Sequence, residues 1–373
     1  MKIPPLKVLF SKEDRREILR RIDEALATGF VVMGKNVEEF EREFAKYCGT
    51  KYAVAVSSGS SALEIVMRIL DVKNKEVLIP TNTFFSTAAA ALFAGGRVRL
   101  VDVSPESFSL DLKNIKKRIT KNTAGVIIVH IGGIIIPEIE EIRHWCSEKG
   151  LWLIEDCAHA HGSEYNNKKA GRFGLGGCYS FFSTKVITTG EGGMVVTDEK
   201  DLAQKIKLFR NHGKPEPWVS RHTDLGSNWR MTEFSAAVGL IHLKSLDKFI
   251  AWRKKTANLY TKLLAEVQEA KPVLPVGESS WYKYIVLIGK RMSKKKLKSL
   301  LKERGISLSG EVYEIPLHQQ PIFEGILTGS FPIADDICNC HICLPLYYGM
   351  TDKEALYVIE NLKEIIVKKE VWQ

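Results

Sequence analysis

The sequence predicts an α/β protein with a mostly parallel central sheet covered by helices and a smaller C-terminal α/β domain. From residue 77 onward, short apolar runs alternate with helical patterns, which is typical of parallel α/β units. The runs are continuously apolar, as expected for strands buried on both faces. The pattern changes past Pro272. We therefore predict a large domain over residues 1–248 and a small domain over residues 249–373.

Local signals place the individual elements. Ser11 to Asp14 form a capping-box-like start to a first helix, whose apolar stripe is Ile18, Ile22 and Leu26. The predicted strands are 52–56, 77–79, 98–101, 125–130, 151–154, 178–182, 194–197, 281–288 and 342–344. The other predicted helices are 37–48, 62–70, 139–148, 201–210, 232–249, 251–266, 294–304 and 353–367.

Composition and charge narrow the functional classes. The chain has 373 residues, of which 45% are hydrophobic and 26% charged, as in ordinary soluble globular proteins. A formal charge of +10 suits nucleic acid, an anionic membrane or an anionic small molecule. The densest basic run, 290–302, carries leucines at helical spacing and no interleaved aromatic residues. It therefore predicts a solvated helix face and argues against a nucleic-acid groove.

Membrane insertion is not expected. The N-terminus has no apolar core of signal-peptide length. The uncharged run 77–96 contains Pro80 and Asn82, which favour a strand, a loop and a buried helix over a membrane span. We expect a cytoplasmic protein.

The seven cysteines do not form a disulfide framework, since they are scattered through a long chain. Cys338, Cys340 and Cys343, with the histidine between them, superficially resemble a metal site. A second ligand pair is missing from the sequence, and the apolar alternation across 337–344 favours a strand that ends at Pro345. We predict no metal.

One lysine stands out because of its neighbours. Lys185 follows a predicted strand, and Gly190, Gly192 and Gly193 then allow the backbone to bend sharply. A lone lysine after a strand is usually solvated, but the surrounding glycines and hydroxyl groups suggest a pocket beside a phosphate or carbonyl. A second signal is the small-residue turn 57–61 between a strand and a helix, where free N–H groups favour a phosphate.

Polar side chains recur where the predicted strands end. Thr83 and Phe84, His130, the pair 155–156 and Lys185 each follow a strand. Functional groups of open parallel sheets gather at this edge, so we expect these side chains to lie close together.

Four ordered motifs and an N-terminal segment resemble one known family. The matching stretches are 34–41, 155–162 (EDCAHAHG), 179–185 (YSFFSTK), 189–193 (TGEGG) and 228–231 (NWRM). The chain resembles the DegT/DnrJ/EryC1/StrS family of pyridoxal-phosphate (PLP) sugar aminotransferases almost from end to end. The resemblance implies the PLP-dependent transferase fold type I, the fold of aspartate aminotransferase.

The resemblance assigns the catalytic roles. Lys185 would bind PLP covalently through its neutral amine, and then move the proton that leaves the substrate. Asp156 would meet the pyridine nitrogen and keep the ring protonated. Phe84 would stack on that ring, and His159 stands where many members have glutamine, against the ring face or its 3′ oxygen.

Further cofactor contacts are implied for the phosphate. Gly59, Ser60 and Ser180 match its ligands, and Ser60 replaces the usual threonine. Asn228 matches the residue that reaches the phosphate of the neighbouring subunit, which implies a homodimer with shared active sites. His318 matches a segment at the substrate pocket, where a structural histidine is an equally good interpretation.

The implied reaction is transfer of an amino group from glutamate or glutamine to a keto-sugar, most plausibly nucleotide-linked, for amino-sugar biosynthesis. One alternative is an aminotransferase for a free cyclitol or another ketone. A second is a non-catalytic regulator with the same fold, which the intact Lys185–Asp156 pair disfavours. A third is a PLP-dependent sugar dehydratase, in which histidine replaces the lysine.

Overall fold

The computed structural model describes residues 1–216, 218–369 and 371–372. Its strands have these bounds: β1 Tyr52–Val56, β2 Glu76–Pro80, β3 Arg97–Val101, β4 Thr123–Val129, β5 Trp152–Asp156, β6 Glu164–Tyr165, β7 Lys168–Lys169, β8 Gly176–Ser180, β9 Gly193–Thr197, β10 Ala270–Pro272, β11 Tyr284–Ile288 and β12 His341–Leu344.

The helices surround these strands. Their bounds are α1 Lys12–Thr28, α2 Lys35–Cys48, α3 Gly59–Ile69, α4 Phe85–Phe93, α5 Leu112–Arg118, α6 Ile139–Glu148, α7 Lys200–Phe209, α8 Glu233–Lys244, α9 Leu246–Leu264, α10 Lys294–Glu303, α11 Pro332–Asn339 and α12 Asp352–Val367. None of the helices among the described residues is long and apolar enough to cross a membrane.

The large lobe is organised around a seven-stranded sheet in the order β1-β9-β8-β5-β4-β2-β3. Strand β9 is antiparallel to both of its neighbours, whereas the other pairs in the sheet are parallel. This confirms the predicted mostly parallel sheet. Because parallel strands end at one edge, residues that follow β2, β4, β5 and β8 meet there.

Apolar side chains cover both faces of the sheet. Along β4, Val126 and Ile128 belong to one buried cluster, while Ile127 and Val129 belong to the other. Successive side chains of a strand point to opposite faces, so each cluster marks one covered face. This explains why the strand sequences are continuously apolar.

The small lobe has its own sheet and core. Strands β10, β11 and β12 form an antiparallel sheet, and α9, α10 and α12 contribute to the third buried cluster. Ile3 from the N-terminus also lies in this core, and residues such as Val312 and Phe331 pack with the large lobe. The predicted domain limit after residue 248 falls inside α9 and stays a prediction.

Two predicted elements are wrong in part. The predicted helix 232–249 is interrupted at Ser245, whose φ of −102° and ψ of 0° separate α8 from α9. The predicted strand 342–344 matches β12, but the apolar alternation that favoured a strand from residue 337 is wrong, because α11, which starts at Pro332, occupies the residues up to Asn339. Both errors arise where an apolar pattern continues across a change in backbone direction.

Candidate active site

Lys185 lies on the turn that follows β8. Its backbone N–H donates to the carbonyl oxygen of Phe182 at 2.9 Å, and its Nζ lies 4.8 Å from the ring centroid of Tyr282. Burial lowers the pKa of Lys185 to about 8, Asp156 opposes this shift, and Lys283 adds to it. The neutral form of the amine, which a nucleophilic lysine requires, is therefore more populated near physiological pH than in an ordinary lysine.

Asp156 is the last residue of β5 and is buried. Its carboxylate accepts hydrogen bonds from the Ala158 N–H at 3.1 Å and from the Thr87 hydroxyl at 2.9 Å. Burial raises the pKa of Asp156, while these two bonds and the charge of Lys185 oppose the shift. Since both hydrogen-bond donors are neutral, a positively charged group beside this carboxylate would be strongly favoured.

The N-terminus of α3 forms an anion cradle against β8. Ser58 caps the helix by accepting from the Ser61 N–H at 3.0 Å, and the first N–H groups of a helix have no partner within it. A Cβ atom on Gly59 would meet the Cβ of Ser180 at 2.7 Å. The cradle therefore needs glycine, and its N–H groups and serine hydroxyls suit a phosphate.

His159 is held in one protonation state. Its ring stacks on Tyr282 with centroids 4.3 Å apart, and its Nδ1 accepts from the Gly132 N–H at 3.3 Å. Burial lowers the pKa of His159 well below its ordinary value, and Lys185 lowers it further. The ring is thus neutral with its proton on Nε2, which donates to the Tyr313 hydroxyl oxygen at 3.4 Å.

Phe84 lies at the start of α4 and is 56% exposed. Its ring centroid is 6.0 Å from that of Tyr313, which contacts His159. Phe84 therefore borders the same pocket from the end of β2, and its exposure leaves it accessible to a planar ligand.

Among the described residues, the side chains of Asn228 and His318 make no hydrogen bond to Lys185, Asp156 or His159. Asn228 is exposed and forms an isolated bridge with Asn211. The two ring nitrogens of His318 hydrogen-bond to Thr81 at 2.8 Å and to Asp335 at 2.9 Å. These bonds favour the structural interpretation of His318, and its contact with substrate stays a prediction.

Three pocket residues were missed by the sequence reasoning. Thr87 follows Thr83 at helical spacing, and their hydroxyls are 2.8 Å apart, so this pair could have been found from the i, i+4 pattern. Tyr282 and Tyr313 come from the C-terminal third of the chain, and no local signal in the sequence connects them to Lys185.

Glu155 anchors a loop behind the site. Its carboxylate accepts from the N–H groups of Gly171, Phe173 and Gly174 at 2.7–2.8 Å and pairs with His130 at 2.9 Å. Among the described residues, the one group with metal-like spacing is His130, Glu155 and Cys157, not the 338–343 cluster. Because these hydrogen bonds occupy the carboxylate, the group serves as a structural anchor.

The residues present fit PLP. The N-terminus of α3 at Gly59 offers N–H groups to a phosphate, Asp156 offers a buried carboxylate to a pyridinium nitrogen, and Lys185 presents an amine with a lowered pKa. With the sheet order described above, this site defines a PLP-dependent transferase of fold type I.

Comparison with known proteins identifies the family. The model of the DegT/DnrJ/EryC1/StrS aminotransferase family matches residues 12–363. The chain belongs to this family and is a PLP-dependent aminotransferase.

Curated relatives span nearly the same length. A GDP-perosamine synthase from Caulobacter vibrioides is 31% identical, with 90% of this chain and 91% of the relative covered. A pleiotropic regulatory protein from Geobacillus stearothermophilus is 32% identical, with 98% of each chain covered.

Solved structures agree with the fold. Helicobacter pylori PseC, an aminotransferase of pseudaminic acid biosynthesis, superimposes with a TM-score of 0.92 at 27% identity, covering 99% of this chain and 100% of that one. S. venezuelae DesV, solved in complex with a ketimine intermediate, gives a TM-score of 0.91 at 29% identity, covering 97% and 98%.

Proposed function

We propose that the protein transfers an amino group from glutamate or glutamine to a keto-sugar linked to a nucleotide, as a step of amino-sugar biosynthesis. The observation that carries this proposal is the Lys185 amine, which lies over the Tyr282 ring near the Asp156 carboxylate and has a pKa lowered to about 8. The names of the relatives supply the substrate class, since GDP-perosamine synthases and nucleotide-sugar transaminases recur among them.

The residues of the site divide the chemistry among them. When bound, PLP takes up the electrons released as a proton leaves the substrate carbon. Lys185 removes that proton and returns it to the other reacting carbon, because its amine is partly neutral in this environment. Asp156 would stabilise the positive charge on the pyridine nitrogen. The Gly59 and Ser60 N–H groups and the Ser180 hydroxyl would hold the phosphate.

Neighbouring groups hold His159 in place beside Lys185. His159, stacked on Tyr282 and hydrogen-bonded through both ring nitrogens, cannot easily rotate. Because this imidazole is neutral, it adds no positive charge that would disfavour protonation of the pyridine nitrogen of PLP. It therefore supports the cofactor face without competing with Asp156.

The proposed active unit is a homodimer with composite sites. The exposed loop beside Asn228 carries Trp218, which is 89% exposed, and Leu225, which is 88% exposed. The exposed apolar segment 30–32 is joined to the start of α8 by the bridge between Val32 and Thr232. A surface with this much exposed apolar area is typical of a subunit interface.

Substrate screening tests the function. The purified protein with PLP, glutamate or glutamine, and nucleotide-linked 3-keto or 4-keto sugars should yield an amino-sugar product detected by mass spectrometry. A free cyclitol ketone is the comparison substrate, and conversion of that ketone alone would contradict the proposal. Lys185→Ala should abolish both the reaction and the visible absorption of lysine-bound PLP.

A regulatory role is the second candidate, because of the name of the Geobacillus stearothermophilus relative. The intact pair of Lys185 and Asp156 favours catalysis over this role. A protein that binds PLP but shows no loss of visible absorption with any amino donor would support the regulator instead. The cytoplasmic location stays a prediction.

A further inference from the structure

A second lysine shares the aromatic ring over which Lys185 lies. The Nζ of Lys283 is 5.1 Å from the ring centroid of Tyr282, and the Nζ of Lys185 is 4.8 Å from the same centroid. The backbone N–H of Lys283 donates to the Gly132 carbonyl oxygen at 3.2 Å, and the Gly132 N–H donates to His159. Lys283 is therefore fixed at the start of β11 against the turn that follows β4, beside the pocket.

Lys283 has no carboxylate partner among the residues that the structure describes. The charge of the Glu311 carboxylate favours the protonated form of Lys283, but that carboxylate is paired with Lys298 at 2.8 Å. Burial lowers the pKa of Lys283, Cys343 opposes the shift, and Arg253 adds to it. A partly buried ammonium without a counter-ion is costly, so a bound anion would relieve this cost.

We propose that Lys283 binds the α-carboxylate of the amino-acid donor. The proposal rests on the proposed function, because it assigns a residue to the donor of that reaction. In an α-amino acid the carboxylate is attached directly to the carbon that carries the amine. An acid held by Lys283 therefore presents this carbon to the neighbouring Lys185, which removes its proton.

The phosphates of a nucleotide sugar suit this position less well. Several bonds separate the diphosphate from the ketone at the 3- or 4-position, whereas the two lysine amines lie over one ring. The partial burial of Tyr282 and Lys283 also favours a small anion, since a charge-assisted hydrogen bond strengthens where water is excluded.

The donor half-reaction tests the proposal in the PLP-loaded enzyme. Loss of visible PLP absorption is followed against glutamate and, separately, glutamine concentration for the wild type and for Lys283→Met. We expect the half-saturating concentration of both donors to rise about ten- to a hundredfold. The conservative variant Lys283→Arg keeps a positive charge, so its half-saturating donor concentration should rise less than that of Lys283→Met. Lys290→Met, which removes an exposed lysine paired with Asp336, is the matched control and should behave as the wild type.

An equilibrium measurement separates binding from catalysis. The donor analogue 2-methylglutamate has no proton to lose at the α-carbon, so its binding can be measured without the reaction. Its dissociation constant, obtained by spectral titration, should rise by the same factor in Lys283→Met. An unchanged visible spectrum of bound PLP and an unchanged melting temperature would show that the variant is folded.

The contrary outcomes are distinct. Equal donor constants in wild type and Lys283→Met would overturn the proposal. If Lys283→Met weakens the binding of glutamate but not of glutamine, the side-chain carboxylate of glutamate lies at Lys283 and the α-carboxylate assignment is overturned. A loss confined to the reverse half-reaction with keto-sugar would assign Lys283 to a phosphate. Because the donor half-reaction needs no keto-sugar, its result does not depend on whether the acceptor class is correct.

Discussion

At the residue scale, the site depends on opposing shifts of neighbouring pKa values. Burial raises the pKa of Asp156 and lowers the pKa of Lys185, so burial disfavours the charged form of each group. Two neutral donors, Ala158 and Thr87, favour the charged form of the carboxylate, and Asp156 and Lys185 each favour the charge of the other. A pyridinium nitrogen would complete this arrangement.

Thr87 should strengthen cofactor binding through Asp156. Thr87→Val removes one hydrogen bond to the carboxylate and should weaken PLP binding by about 1.5–3 kcal/mol, the range for hydrogen bonds to charged groups. Spectral titration of the cofactor-free protein with PLP measures the change. Thr87→Ser keeps a hydroxyl and serves as the control. If the valine and serine variants bind PLP equally well, Thr87 has no such role.

The amine of Lys185 should titrate near its lowered pKa of about 8. In the cofactor-free protein, labelling of Lys185 by an amine-specific reagent should therefore increase as pH rises through this value, because only the neutral amine reacts. Lys283→Met removes a positive charge that lowers the pKa of Lys185, so its labelling curve should move to higher pH. Peptide mass spectrometry gives the extent of labelling at each pH. A midpoint near the ordinary lysine value would contradict the buried environment.

At the element scale, the phosphate cradle depends on how closely α3 approaches β8. Ser58 fixes the first turn of the helix with a capping box, and Gly59 brings it against Ser180. The backbone N–H groups can then reach a ligand because no side chain intervenes. The strand supplies the hydroxyl, and the helix supplies the dipole.

Gly59→Ala should move these two elements apart. Its Cβ would lie 2.7 Å from the Cβ of Ser180, and such overpacking costs about 1–3 kcal/mol. PLP affinity should fall about tenfold or more, while pyridoxal, which has no phosphate, should bind as it does to the wild type. The control is Gly310→Ala, where a Cβ would meet nothing within 4 Å. If the affinities for PLP and pyridoxal fall equally, the substitution does not act through the phosphate cradle.

At the scale of the whole molecule, the two lobes enclose the site and a second subunit is proposed to complete it. The large lobe supplies Lys185 and Asp156, while Tyr282 and Tyr313 come from the C-terminal third of the chain. Asn228 lies on an exposed loop, and the carbonyl oxygen of the adjacent Trp229 accepts from the Ser57 N–H at 2.8 Å, beside the phosphate cradle. In the proposed dimer, Asn228 reaches the phosphate bound by the neighbouring subunit.

Mixing two inactive variants tests this arrangement. Lys185→Ala lacks the amine, and Asn228→Ala should lose most of its PLP affinity. Refolded mixtures should recover up to about a quarter of the wild-type specific activity, since half of the dimers are mixed and each has one intact site. Light scattering of each sample confirms the dimer. Mixtures that remain inactive while dimeric would show that Asn228 acts within its own subunit.

Much of the fold was predictable from local patterns. The apolar runs predicted β1, β2, β4 and β5 to within a few residues, because strands buried on both faces need continuous apolar side chains. The strand ends also placed Asp156 and Lys185 near one edge. The breaks at Ser245 and Asn339 were not predictable, since the apolar pattern continues through both of them.

The sequence by itself determined the family and its motif residues, because the segments around Asp156 and Lys185 are continuous in the chain. Only the tertiary structure decided which distant side chains complete the pocket. Tyr282 and Lys283 reach Lys185 through the packing of the small lobe, Tyr313 reaches His159, and Thr87 reaches Asp156 across the sheet. These contacts depend on how whole elements pack against one another, and no local run of residues encodes that packing.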